Sequence, residues 1–293
     1  METPTRSRLD ALRQVTAAVD RWHDDDRATT SDELVAEEPL EVRALARVGA
    51  DGSAPAETLA VIMRTPGHDE ELAAGFLFSE GLLLTRGELA ELVPGADPDG
   101  LPSDNVIDVV SAPGVDIVAR MREAGYSRQF AVNASCGVCG KNSVAAACAA
   151  LPPLPLDGMI VDHATLYGLP DRLRAEQRVF AHTGGLHAAG IFDHAGNLLA
   201  LREDIGRHNA VDKLVGRALL DGTLPLRERI LLVSGRLSFE IVLKALAAGI
   251  PIVAAVSAPS SLAVDMAQAG GVTLAGFLRG ATVNVYTYPE RIR

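Results

Sequence analysis

The spacing of apolar residues changes repeatedly along this chain, and each change marks a new element. Leu40, Val42 and Ala44 alternate with charged neighbours, the period-two pattern of a half-buried strand, while Leu59 to Met63 is a continuous apolar run suited to a fully buried one. Thr65-Pro66-Gly67-His68 then turns the chain into a helix bearing Leu72, Phe76 and Leu77, with Gly81 as its stop. Pro94 to Ser103 concentrates Pro, Gly and Asp and reads as a loop, ahead of a strand over Val106 to Val110. Together these predict a small α+β unit.

Ala188 to Phe192 and Leu198 to Leu201 flank Asp193-His194-Ala195-Gly196-Asn197, which predicts a hairpin with a five-residue loop. Asn209, with Asp212 three residues on, predicts an N-cap for a helix carrying Val211, Leu214, Val215, Ala218 and Leu219. Beyond it the pattern alternates: strand Ile230 to Val233, helix Phe239 to Ala248, strand Ile250 to Val256, helix Ser261 to Ala269, strand Val272 to Ala275 and a last strand near Val283 to Tyr286. Such alternation predicts parallel βαβ units, whose sites lie beyond the carboxyl ends of the strands. Ser234-Gly235-Arg236, Ser257-Ala258-Pro259-Ser260 and Phe277-Leu278-Arg279-Gly280 fall at such ends.

The chain therefore divides into three parts. Residues 1–31 mix Asp24, Asp25, Asp26 and Arg27 with few strong apolar side chains beyond Trp22, and predict a mobile or loosely docked tail. Residues 32–104 form the small α+β unit and residues 105–293 an α/β core. With 293 residues, 48% of them hydrophobic, the chain can bury a substantial core. Its start lacks the apolar stretch of a signal peptide, and its apolar runs fall far short of the roughly 20 residues that cross a bilayer. The expectation is a cytoplasmic protein with no membrane partner. A net charge of −11 disfavours nucleic acid, which needs a basic stripe to displace phosphate counterions.

The three cysteines fit a reducing compartment rather than a disulfide framework. Two of them, Cys136 and Cys139, form CxxC in Cys136-Gly137-Val138-Cys139-Gly140-Lys141; Cys148 sits in an apolar run and reads as a packing residue. A thiolate is the reactive form, and its pKa falls from about 8.5 toward roughly 3.5 to 7.5 beside a cation, at a helix N-terminus or in a CxxC pair. Lys141 and a helix beginning at Asn142 or Ser143 supply the first two, so either Cys136 or Cys139 is a candidate nucleophile.

Half of a zinc site and a thioredoxin-like redox pair are the alternatives. A Cys₄ site is impossible with three cysteines, and the stretch to His182 and His187 far exceeds the roughly 12 to 15 residues of a zinc finger, so no stoichiometric zinc is expected. A zinc deaminase would need H-x-E and P-C-x-x-C, yet His187-Ala188-Ala189 has no Glu and Ser135 precedes Cys136.

Two further motifs, Thr183-Gly184-Gly185-Leu186-His187 and Arg202-Glu203-Asp204-Ile205-Gly206-Arg207-His208-Asn209, combine glycine-made backbone access with Arg, His and Asp. Each suits a phosphate cradle or a proton donor as well as a plain turn. Asp204 either orients Arg207 or takes a direct part in the chemistry. Ser234, Arg236 and Arg279, near helix N-termini, suit a diphosphate.

Taken together, CGVCGK, FAHTGGLHAAG, REDIGRHNAVDKLVG, SGRLSFEIVLKAL, VSAPSSLAVDMAQ and GFLRGATVNVYTYPERI, with RTPGHDEELAAGFLFSEGL upstream, resemble the formate dehydrogenase accessory sulfurtransferase family. The match runs from about Glu38 to Ile292. It implies a cytidine-deaminase-like, three-layer α/β/α core with a smaller α+β N-terminal unit, in a homodimer. The implied activity is sulfur transfer: a persulfide taken from a cysteine desulfurase and passed to the bis(molybdopterin guanine dinucleotide) cofactor destined for formate dehydrogenase. In that family the first cysteine of the pair carries the persulfide, which falls on Cys136, with Cys139 as its partner. The family's cofactor-binding stretch falls on Phe277, Leu278, Arg279, Gly280, Ala281 and Thr282. The rival expectation is a non-catalytic chaperone that holds the cofactor and delivers it.

Overall fold

A computed structural model describes residues 12–45, 56–124, 151–156 and 158–293. The chain enters through β1 (Gln14–His23) and β2 (Asp26–Val35), an antiparallel ribbon that turns at Asp24 with a left-handed φ of 52°. Residues 14–31, expected as part of a mobile or loosely docked tail, belong to a regular hairpin whose β2 runs through the boundary expected at 31. Burial could not have revealed it: most of its side chains face water, and backbone pairing organises it with cross-strand bonds from Arg27 and Thr29 to Asp20.

The small unit is a four-stranded sheet ordered β4-β3-β6-β5, from β3 (Glu38–Leu45), β4 (Ala56–Arg64), β5 (Leu89–Ala96) and β6 (Pro102–Ser111). Leu40, Val42 and Ala44 point into its core, as their alternation requires. Helices α1 (Asp69–Ser79) and α2 (Ile117–Glu123) close that core with Leu72, Phe76, Leu77, Ile117 and Met121. The loop expected over Pro94 to Ser103 is shorter. Pro94 lies inside β5, an edge strand that tolerates a missing N–H, and Asp97 tightens the turn by accepting from the backbone of Asp99 and Leu101. The unit boundary expected at 104 falls within β6, which runs on to Ser111 in this sheet.

The large sheet is ordered β12-β11-β10-β9-β7-β8. Its strands are β7 (His187–Phe192), β8 (Leu198–Asp204), β9 (Ile230–Val233), β10 (Ile252–Ala255), β11 (Thr273–Arg279) and β12 (Thr282–Val285). β9, β10 and β11 are parallel, whereas β7, β8 and β12 join antiparallel, the hairpin of β7 and β8 among them. Alternate residues face opposite layers: Leu231, Val233 and Val253 pack toward helices α5 (Arg207–Leu220), α6 (Phe239–Ala247) and α7 (Ser261–Gly270). Ile230, Leu232 and Ile252 pack instead toward α3 (His163–Glu176). The core is therefore a three-layer α/β/α sandwich, with short α4 (Arg178–Thr183) following α3.

The start of α5 departs from expectation. Its N-cap is Gly206, and Asn209 is instead drawn inward, donating to the Met63 carbonyl at 2.8 Å and to Asp204 Oδ1 at 2.9 Å. Asp212 caps nothing. It accepts from Ser79 Oγ at 2.9 Å and from Lys244 Nζ at 2.7 Å. Burial opposes the Lys244 charge, but Asp212 and Glu80 hold its pKa above the ordinary lysine value.

The small unit docks through α1, which crosses α5 at two glycines. A Cβ on Gly75 would stand 1.9 Å from the Asp212 carbonyl oxygen, and one on Gly216 would stand 1.8 Å from that of Glu71. The backbones touch, so neither position admits any side chain. Gly216→Ala gains about 1 kcal/mol of helix propensity yet forces the helices apart. The expected result is a net loss of about 1–3 kcal/mol in chemical denaturation; unchanged or increased stability would contradict this packing.

Beside the crossing, Arg202 grips Glu71 bidentately at 2.5 and 2.6 Å. Burial alone would raise the Glu71 pKa; the bonds from Arg202 and His68 more than reverse that and bring it from 4.5 to about 2. A depressed carboxylate contributes stability that is complete above the unfolded value and lost on acidification. The contribution, up to about 3 kcal/mol, should therefore fade between pH 4.5 and 2. Glu71→Gln should be less stable at neutral pH and lose less stability across that window; parallel acid-unfolding curves for the two proteins would contradict the pairing.

Candidate functional site

Because β9, β10 and β11 are parallel, their carboxyl ends share one edge, and the three loops that follow are tied to one another. Leu237 N donates to Ala258 O at 3.1 Å and Ser260 N to Leu237 O at 2.9 Å. Phe277 N donates to Ser257 O at 3.0 Å, and Arg279 Nε to Val256 O at 3.0 Å. The antiparallel hairpin brings its own motifs to this edge, since His187 at the start of β7 pairs with Asp204 at the end of β8. Thr183–His187 and Arg202–Asn209 thus stand beside Ser234-Gly235-Arg236. Gly235 fits there because it has no Cβ, which would lie only 3.3 Å from His187 Nδ1.

Ser234 is fixed by β7, accepting from Ala188 N at 2.9 Å through its hydroxyl, while Arg236 is exposed. In the stretch 277–282, Phe277 and Gly280 take left-handed φ values of 53° and 52° as the chain turns from β11 into β12. Phe277 is 41% exposed, whereas Leu278 packs wholly into the core and can offer a ligand only its backbone. Thr282 donates to the Arg279 carbonyl at 2.9 Å, which closes the turn around Ala281. Cys136 and Cys139, with Lys141 and Cys148, lie outside the described residues. The described chain resumes at the opposite, amino edge of the sheet, where Leu154 N donates to Gly270 O and the buried Arg291 donates to Pro155 O.

His187 stands between two cavities. One, of about 640 Å³, opens toward α3, α4, Ser234 and Val256; the other, of about 210 Å³, lies at the start of α5 against Arg207 and His208. Burial, then the positive charges of Arg207, His208 and Arg236, push the His187 pKa below its ordinary value, and Asp204 only partly offsets them. His208 Nε2 meets Glu240 at 2.8 Å and Ser238 Oγ at 2.9 Å. Ser238 sits at the N-cap of α6, but its hydroxyl is turned to His208 and caps nothing. The His208 bond also draws the Glu240 pKa below the usual carboxylate range.

Asp204 neither orients Arg207 nor faces the site. It is wholly buried, with Oδ2 at 2.7 Å from Lys213 Nζ and 3.3 Å from Thr65 N, and Oδ1 at 2.8 Å from Gly206 N. Its role is to hold the start of α5 against the small unit. Glu240 carries little signal in the sequence: only its place in the first turn of a helix after a strand-end loop.

The sequence model of the FdhD/NarQ family matches residues 37–293, and the chain belongs to that family. It is 52% identical over 274 residues to the sulfur carrier protein FdhD of Streptomyces avermitilis, with 90% of each chain covered. It is 47% identical over 271 residues to the protein of the same name from Mycobacterium tuberculosis, covering 90% of this chain and 93% of that one. A solved chain from Desulfotalea psychrophila, named a formate dehydrogenase accessory protein, superposes with a TM-score of 0.70 over 96% of this chain and 99% of that one at 24% identity, which shows a shared fold. The hairpin β1–β2 lies ahead of the family match. Among the described residues no helix is long and apolar enough to cross a membrane.

The site electrostatics can be read directly. In a proton NMR titration the His187 ring should have its midpoint below 6.5, and Arg207→Gln should move it upward because a neighbouring positive charge is lost. A midpoint at or above 6.5 in the unaltered protein would contradict the site's positive character.

Proposed function

We propose that this protein is a sulfur carrier in formate dehydrogenase maturation, and that it carries the sulfur as a persulfide on Cys136. The single observation that carries the reading is its identity of about half, over nine-tenths of its length, to relatives named sulfur carriers. In the first step the Cys136 thiolate attacks the outer sulfur of a cysteine desulfurase persulfide. A bond forms between Cys136 Sγ and that sulfur as the donor's S–S bond breaks, and the donor cysteine leaves as a thiolate. Cys139, three residues on, is placed in sequence to receive or release the sulfur through a transient disulfide.

The acceptor is the bis(molybdopterin guanine dinucleotide) cofactor, bound as substrate at the carboxyl edge of the large sheet. Its diphosphates suit Arg236, the remaining guanidinium N–H groups of Arg279 and the uncapped start of α6. The backbone of 277–282 and Ser234 line the same edge. His187, neutral for the reasons above, can take or give a proton beside the bound group. The protein acts in the cytoplasm as a homodimer, with the desulfurase and formate dehydrogenase as its partners.

Incubation with desulfurase and cysteine, followed by intact mass measurement, should show one added sulfur atom on the full chain and none on Cys136→Ala. Equal loading of the two would remove Cys136 from the mechanism.

A further inference from the structure

Two features of this molecule lie away from the proposed cofactor edge, and each offers what the other lacks. The first is the end of the ribbon β1–β2. Its base is fixed beside the carboxyl edge of the large sheet: Ala36 N donates to Arg13 O at 2.8 Å, Arg13 Nε donates to Pro66 O at 3.1 Å, and Val35 packs against Gly185, where a Cβ would stand 3.0 Å from its Cγ1. From that base ten residues per strand, at roughly 3.3 Å each, carry the turn about 30 Å away. Bonds from Arg27 and Thr29 to Asp20 brace the ribbon just below the turn. At its end stand Trp22, 63% exposed, and the consecutive carboxylates Asp24, Asp25 and Asp26. Asp24 meets only the exposed His23, at 3.5 Å, and Asp25 and Asp26 have no partner among the described residues. A two-stranded ribbon is marginally stable in water by itself, and an aromatic side chain at its end is the type that protein interfaces favour.

The second feature is a cavity of about 440 Å³ between α5, the start of β8 and the loop ahead of β9. It lies at the amino edge of the sheet, because Phe192 at the end of β7 pairs with Ile230 at the start of β9. Ile191, Leu199, Leu214 and Leu226 give it an apolar lining. Arg217, Arg227 and Arg229 also line it, against two carboxylates, Asp221 and Glu228. Three cations against two anions leave the cavity positive in a chain whose net charge is −11. Asp221 is taken up by Arg217 at 3.4 Å, whereas Arg227 is exposed and has no partner among the described residues.

We propose that the ribbon is an exchanged arm: Trp22 of one copy of this chain fills the cavity of a second copy, Asp24, Asp25 and Asp26 meet Arg217, Arg227 and Arg229 there, and the second copy returns the same contact. The inference rests on the homodimer reading above and names the surfaces that make the dimer. Placement favours a second copy over the chain's own cavity, since the ribbon's base and the cavity lie at opposite edges of the sheet and Trp22 does not line that cavity. Reciprocal exchange makes one contact twice about a two-fold axis, so assembly closes at two copies. An aromatic anchor in an apolar pocket, with charge pairs around it, is the arrangement in which a few residues carry most of an interface's binding energy.

Trp22 is the chain's one tryptophan, so its fluorescence reports the contact directly. Sedimentation and emission spectra of the full chain across a dilution series should show a dimer with blue-shifted emission that turns red as monomer forms. Trp22→Ala should weaken dimerisation at least about tenfold. Charge reversal supplies the decisive arm. An arm variant with Asp25→Lys and Asp26→Lys, and a cavity variant with Arg217→Glu and Arg227→Glu, should each be monomeric where the unaltered chain is dimeric. Mixed together, the two should form a heterodimer, because both exchanged contacts then join opposite charges; recovery on mixing also shows that neither variant is misfolded. A dimer in which Trp22 emits as an exposed indole, or one that both charge variants still form alone, would overturn the exchanged arm and leave the homodimer reading standing. Blue-shifted emission from a monomer would overturn it in favour of an arm folded onto its own chain. A monomer with exposed Trp22 at every concentration would remove both readings.

Discussion

Everything at the carboxyl edge depends on one carboxylate that water does not reach. Asp204 is fully buried, and an ionised group in that position is tolerated only when donors surround it. Four do: Thr65 N, Gly206 N, Asn209 Nδ2 and Lys213 Nζ. Thr65 comes from the turn between β4 and α1 in the small unit, the other three from the junction of β8 and α5 in the large one. Burial lowers the Lys213 pKa, and Asp204 is the chief group working against that. The two units therefore cannot slide past each other without exposing or stranding a charge. The next residues along α5, Arg207 and His208, inherit their positions from this joint, and through His208 so do Ser238 and Glu240 at the start of α6.

Close helix packing reinforces the same joint from behind. Gly75 and Gly216 let α1 and α5 meet backbone to backbone, while Asp212 ties Ser79 of α1 to Lys244 of α6. Interior helix glycines and buried ion pairs each cost stability in isolation. Here they have a common result, which is a rigid platform under the loops proposed to hold the cofactor. Pre-organised donors bind more tightly because little ordering remains to be done on association.

Much of this was legible in the sequence, for identifiable reasons. The alternating run around Val42 and the apolar strands Ile230–Val233 and Ile252–Ala255 are decided by burial, which leaves a clear period. The loops after β9, β10 and β11 follow from strand–helix alternation, so Ser234, Arg236 and Arg279 could be placed on one edge. What escaped was decided by other forces. The ribbon β1–β2 is held by backbone pairing without a core. Asn209 has the right spacing for a cap, but the tertiary pull of Asp204 and the Met63 carbonyl outweighs that local preference. Asp204 reads as a candidate because it lies in the motif Arg202–Asn209; only the fold shows that it faces inward.

The carboxyl edge of the large sheet is the proposed receiving site for the cofactor, and residues 151–156, the first described residues after the cysteines, lie at the opposite edge. Amide hydrogen exchange with and without GDP tests that placement most directly. Slower exchange in residues 234–238 and 277–282 on nucleotide addition, with residues 151–156 unchanged, is the predicted result. Protection confined to 151–156, or to the hairpin of β1 and β2, would contradict it.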